Sequence, residues 1–141
     1  MLVDLDGFKT VNDELGHAVG DEVLRVVGMR LRSAVRSYDL VARWGGDEFV
    51  LVLPGIDNDT FANSRAASLA SLVAQPMRAG DGGSTVGPQV GASIGIALLG
   101  RHGETLDELV AAADAAMYEA KRSGTTHAIA EDSTLGVRAH P

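Results

Sequence analysis

The chain opens with a short apolar run, Met1-Leu2-Val3, that ends in Asp4-Leu5-Asp6-Gly7, the pattern of a strand passing into a glycine turn. Gly7 to Leu15 then reads as a short helix, broken at Gly16-His17. A second helix is predicted from about Asp21, where Val23, Val27, Leu31 and Val35 recur at four-residue spacing and give it an apolar stripe. Leu40 to Leu53 carries two apolar runs around Arg43-Trp44-Gly45-Gly46-Asp47-Glu48 and predicts a hairpin, with Gly45 and Gly46 free to take positive φ at its tip. Asp57-Asn58-Asp59-Thr60 is a helix-start cluster. Phe61, Leu69, Leu72 and Val73 form the expected buried face of the helix that follows, and Pro76 ends it. Gly80 to Pro88 predicts a flexible connection, and Val90 to Leu99 a further strand. Thr105-Leu106-Asp107-Glu108 has capping-box spacing before a helix with Leu109, Ala113, Met117 and Ala120 inward, and Gly124 is a natural stop. Strands interleaved with helices, one pair of them in a hairpin, predict an α+β fold with helices layered on a central sheet.

Composition narrows the class. A chain of 141 residues with 45% hydrophobic content can bury one ordinary core, and no second domain, repeat or low-complexity segment is visible. No apolar run approaches the ~20 residues of a membrane span and no signal-peptide pattern opens the chain, so the expectation is a soluble domain without membrane contact. Cysteine is absent, which excludes disulfides and thiolate metal sites and agrees with a cytoplasmic setting. A net charge of −7 argues against a nucleic-acid-coating surface. Any phosphate binding must be local, and the lysines are Lys9 and Lys121 alone.

Two acidic clusters carry the candidate chemistry. A Gly-Gly-Asp turn between strands ordinarily turns its acids to water. Here a second acid, Asp4, ends another apolar run. If that strand lies beside the hairpin, Asp4 and Asp47 can share one hard divalent cation, with the backbone oxygen of Leu5 as a further ligand. Both Mg²⁺ and Mn²⁺ suit such oxygen donors. Amides of the turn at Gly7, Phe8 and Lys9 would then suit a polyphosphate.

With these residues in view, the chain resembles the GGDEF-domain diguanylate cyclases, which condense two GTP molecules into cyclic di-GMP. The resemblance runs in order through Asp4 to Asp13 (DLDGFKTVND), Gly16-His17, Gly20-Asp21, Arg43 to Phe49 (RWGGDEF), Ser93 to Ala97 (SIGIA) and Ala113 to Lys121 (ADAAMYEAK), nearly the whole chain to about Ser123. It implies the mostly antiparallel, palm-like sheet of nucleotide cyclases, a GGDEF domain over residues 1–130 and a disordered tail over 131–141. The family's leading helix and its Leu-Thr-Gly-Leu-x-Asn-Arg turn have no counterpart, and the first strand is cut short before Asp4, so the resemblance implies an N-terminally truncated domain.

The resemblance also implies roles. Asn12 and Asp21 would read the guanine edge, an amide and a carboxylate matching its donors and acceptors; for Asp21 the plain alternative is a helix N-cap. Leu24, one turn on, would touch the base or simply belong to the core. Lys121 would hold the terminal phosphate, where otherwise it is a surface lysine offsetting a helix dipole. A second basic residue that many members carry after Ser-Gly is replaced here by Thr125, and Arg122 points about 100° away on the helix. Asp47 and Glu48 would be catalytic, Glu48 as general base or second metal contact. Arg36 and Asp39, at the Arg-x-x-Asp spacing, would form the site where cyclic di-GMP inhibits, in place of a weak local ion pair. Each domain would hold one GTP, so catalysis implies a homodimer. The alternative to an active cyclase is a GGDEF module that binds GTP or cyclic di-GMP and turns over poorly.

Overall fold

The computed structural model describes residues 1–78 and 87–132. The expected Gly80–Pro88 connection falls largely outside them, as does most of the 131–141 tail. Among the described residues lie five strands and four helices: β1 (Leu2–Asp6), α1 (Phe8–Leu15), α2 (His17–Ser33), β2 (Leu40–Gly45), β3 (Glu48–Val52), α3 (Asp59–Val73), β4 (Gly91–Ile96), α4 (Leu106–Ser123) and β5 (His127–Ile129). The sheet order is β2-β3-β1-β4-β5. Pairing is antiparallel throughout except between β4 and β5, which run parallel. This is the α+β architecture that the alternation of strands and helices predicts.

Strand alternation divides the sheet into two unlike faces. Val3 and Leu5 of β1 join Phe49, Leu51, Ala92, Ile94 and Ile96 under α1, α2 and α3, forming the main core. Leu2 faces the other way, packing with Val50, Ala113 and Met117 beneath α4. Asp4 and Asp6 follow Leu2 at two-residue intervals and so share its face. The main core thus fixes the strands, while the α4 face carries the acids.

Several boundaries differ from the sequence reading. α2 begins at His17 because Gly16, at φ 87 and ψ 163, ends α1 and starts the next helix with no side-chain cap. Asp21 therefore lies inside α2, and the N-cap alternative for it is overturned. Val35 falls beyond the end of that helix. In α3 the buried face is Ala62, Ala66, Leu69, Ala70 and Val73, with Phe61 55% exposed. Small alanines at helical spacing let α3 approach the sheet, and that rotation turns Phe61 out. β4 is shorter than predicted: beyond it the Leu98 amide donates to Nδ1 of the buried His102, which closes a turn. β5 has no signal in its three residues and exists because β4 offers an edge. Elsewhere the local chemistry acts as expected. Asn58 accepts from the Phe61 amide, the Thr105–Glu108 capping box is complete, and Gly124 stops α4 at φ 71.

Candidate active site

The β1–β3 register places Asp4 directly opposite Glu48. Opposed residues of an antiparallel pair point to one face with Cβ atoms about 5 Å apart, so these two acids are cross-strand neighbours. Asp47 sits in the turn just before β3, half-buried, and its backbone oxygen accepts from the Leu5 amide at 3.1 Å. That bond ties the hairpin tip to the end of β1. Within the tip Gly46 alone takes positive φ, at 25, and its carbonyl accepts from Arg43 Nε at 3.0 Å. The brace from Arg43 had no mark in the sequence beyond its place in the RWGGDEF run.

Asp4 is 8% exposed and ion-paired to Lys121 Nζ of α4. A carboxylate this buried needs such a partner, since desolvation otherwise drives it to its neutral form. What brings Lys121 there is backbone contact. β4 presents Gly95 to α4, and α4 rests almost directly on it. The Glu48 carboxyl is held above its usual range, first by burial, then by the negative charges of Asp114 on α4 and of Asp47. Asp114 thus belongs to the electrostatics of the site; the sequence signal was its place two turns before Lys121, on the same helix face.

All donors here are oxygens. Among the described residues no group of three or more His, Cys, Asp or Glu side chains is arranged to hold a metal ion. A cation held by one or two carboxylates that takes its other ligands from backbone, water and phosphates is the usual arrangement for Mg²⁺, and this donor set fits it.

Gly7, at φ 80, turns β1 into α1 without a side-chain cap. Phe8 is buried in the core, so only its backbone can meet a ligand, while Lys9 is exposed. Asn12, half-buried, lies over Gly20: a Cβ at residue 20 would meet Asn12 Oδ1 at 1.8 Å. One turn beyond, Asp21 and Leu24 line an open cleft of about 490 Å³ with Arg25, Gly28, Arg43 and Phe49. Leu24 is also part of the main core, as its plain reading has it.

Arg36 and Asp39 sit apart from this cluster. The buried Asp39 carboxylate accepts the Arg36 backbone amide at 2.8 Å, and Asp39 N returns a bond to Arg36 O at 3.1 Å. Arg32, a residue the sequence did not single out, donates to the carbonyls of Asp39, Arg36 and Ser37. The Arg36 guanidinium donates to Tyr38 Oη at 2.7 Å and lies 5.8 Å from that ring's centroid. The carboxylate of Asp39 thus serves the turn, and the guanidinium stays outward. Both residues line a polar cavity of about 300 Å³ with Phe61, Ser64, Arg65 and Ser68 of α3.

Residues 1–127 match the family model described as "Diguanylate cyclase, GGDEF domain". The chain is 44% identical over 122 residues to diguanylate cyclase TpbB of Pseudomonas aeruginosa, covering 86% of this chain and 27% of TpbB. It is 40% identical over 131 residues to the response regulator PleD of Caulobacter vibrioides, covering 88% and 27%. The solved GGDEF domain of TpbB (YfiN) superposes with a TM-score of 0.83 at 40% identity, over 92% of this chain and 80% of that one. The GGDEF domain of DgcB from Caulobacter crescentus, solved in complex with c-di-GMP, gives 0.78 at 27% identity, over 92% and 74%. The chain belongs to the GGDEF-domain family of diguanylate cyclases. It spans about a quarter of the length of these curated relatives, 27% in each case.

Proposed function

We propose that this domain condenses two GTP molecules into cyclic di-GMP and two pyrophosphates, as one half of a homodimer. The observation that carries this reading is the meeting of Asp4, Glu48 and Lys121 on the α4 face of the sheet: one acid for a hard cation, a neighbouring acid to take a proton, and one cation for phosphate. Asp4, the Leu5 carbonyl and Asp47 would hold Mg²⁺ or Mn²⁺, which when bound supplies charge neutralisation at the α-phosphate and acidifies the attacking hydroxyl. Guanine would lie against Leu24, with Asn12 and Asp21 taking its polar edge. The amides of Gly7, Phe8 and Lys9, with Lys121, would hold the phosphates.

Glu48 is the base in this reading. The 3′-hydroxyl of one GTP forms a bond to the α-phosphorus of the other, the bond to pyrophosphate breaks, and the hydroxyl proton passes to the Glu48 carboxylate. Burial and the charges of Asp114 and Asp47 raise its proton affinity, and a cation bound beside it would work against that shift. The step occurs twice to close the ring. Each protomer contributes one nucleotide, so positioning depends on two subunits face to face.

Arg36, Asp39 and the cavity they share with Arg65 form, in this reading, a cyclic di-GMP site that limits the product level. An outward guanidinium can take a guanine edge or a phosphate bidentately. Among the described residues no helix is long and apolar enough to cross a membrane. GTP as substrate would have the domain act in the cytoplasm.

A second reading is a binding module of low turnover. Thr125 in place of a basic residue favours it. One experiment separates the two: incubation with GTP and Mg²⁺, followed by chromatography for cyclic di-GMP. Product that forms and limits itself supports the cyclase. A folded sample that forms none yet binds cyclic di-GMP supports the module.

A further inference from the structure

We infer that Ser93 is a positioning residue for the nucleotide: its hydroxyl ties the Asp6 carboxylate to β4 and keeps that negative charge clear of the phosphates. The inference rests on the cyclase reading and gives a task to two motif residues that have none in it.

Ser93 is 3% exposed, and its Oγ lies 2.9 Å from each carboxylate oxygen of Asp6, so one O–H is shared between two acceptors. The β1–β4 register sets Ser93 opposite Asp4 and Gly91 opposite Asp6. Asp4, Asp6 and Ser93 therefore share the face beneath α4. Gly91 lies alongside that carboxylate, where a Cβ would be in ordinary contact, 3.4 Å from Asp6 Oδ2.

Location makes the restraint matter. Asp6 immediately precedes Gly7, where the chain turns into the amides assigned to the phosphates. It also lines a cavity of about 470 Å³ with Ser93, Lys121, Thr125 and Thr126. A triphosphate reaching Lys121 enters that cavity, where the lysine is the cation, the threonines are neutral, and Asp6 is a like charge. Like charges at close range oppose binding, and the opposition grows as water is excluded. A free Asp6 side chain samples several rotamers; one bonded to a buried hydroxyl holds the rotamer turned to β4. With no second basic residue after Ser123-Gly124, little positive charge remains to offset a stray carboxylate.

The test uses 3′-deoxy-GTP, which binds as GTP does but has no hydroxyl to cyclise. Calorimetric titration with Mg²⁺ present compares the wild-type protein with Ser93→Ala, Ser93→Thr, Asp6→Asn and the S93A/D6N double variant, each checked for folding by its melting temperature. Ser93→Ala is expected to bind about tenfold more weakly, the scale of a lost bond to a charged group. Ser93→Thr keeps the hydroxyl and should stay near wild type. Asp6→Asn should bind at least as well as wild type, and adding it to Ser93→Ala should restore affinity, because the charge that needed restraint is gone. A purely structural serine gives the opposite pattern, in which the double variant is the worst. Unchanged affinity in Ser93→Ala, or no restoration by Asp6→Asn, would overturn the inference while the cyclase reading stands. A wild-type protein that binds no 3′-deoxy-GTP would overturn both.

Discussion

Gly95 of β4 and Ala113 of α4 are in backbone contact: a Cβ at residue 95 would lie 1.8 Å from the Ala113 carbonyl oxygen and 2.7 Å from the Met117 amide. Helix α4 therefore sits against the strand at a distance that only glycine allows, and the same helix carries Lys121 to Asp4 and Asp114 toward Glu48. Gly95→Ala must push the helix outward. We expect a loss of at least about 2 kcal/mol, the scale of overpacking in a close-packed layer, read by chemical denaturation. GTP affinity should fall with it, because Lys121 moves with the helix; a variant of wild-type stability would show that α4 has other room.

Glu48 gives a pH dependence with a definite sign. Its folded proton affinity is raised, so its contribution to stability is fully present below the ordinary glutamate pKa and is lost as pH rises through the raised folded value. Asp114→Asn removes one cause of the shift. The variant should be more stable than wild type near pH 7, with the gain vanishing toward about pH 3, where glutamate is protonated in both states. If Glu48 is the base, the acid limb of the cyclase rate profile should move to lower pH in the same variant. Thermal melts and rates across pH check both; a limb that does not move would remove Glu48 from the proton-transfer role.

Asn12 depends on a missing side chain. Gly20→Ala would occupy the space of Asn12 Oδ1 and force the amide off its position. The expected outcome is weaker GTP binding by roughly tenfold and a smaller preference of GTP over ATP, since a displaced amide no longer reads the base edge. Competition titrations with the two nucleotides decide it. An unchanged preference would mean that Asn12 does not touch the base.

The acids of the metal site can be separated from one another. Either Asp4→Asn or Asp47→Asn should abolish metal-dependent GTP binding, measured with and without Mg²⁺. Binding unchanged in one variant removes that acid from the ligand set. The destabilising change is the converse one, Lys121→Ala, which leaves the buried Asp4 carboxylate without its cation and is expected to lower stability.

Arg36→Ala tests the inhibitory site. Loss of the guanidinium should raise the cyclic di-GMP concentration needed for inhibition at least about tenfold, the scale of a lost charged hydrogen bond. Asp39→Ala should also unsettle the turn, since its carboxylate holds the Arg36 amide. Inhibition that survives in Arg36→Ala would place the product elsewhere.

The sequence alone determined the local elements whose chemistry is local. The capping box at Thr105, the stop at Gly124, the helix start within Asp57 to Thr60 and the hairpin around Gly46 depend on residues close together in the chain, and each stands in the structure. It also gave the family, because ordered motifs survive without coordinates. What it could not give depends on residues far apart in the chain. β5 forms only because β4 presents an edge, and α3 turns Phe61 outward because the face carrying Ala62, Ala66, Leu69, Ala70 and Val73 is the one that packs inward. Which acid lies across from Asp4 was decided the same way: the register of β1 on β3 puts Glu48 opposite Asp4 and leaves Asp47 in the turn. Lys121 reaches Asp4 across 117 residues of chain only because β4 offers Gly95 to its helix. Close packing and strand register are properties of the assembled sheet, and they decide which of the legible residues meet.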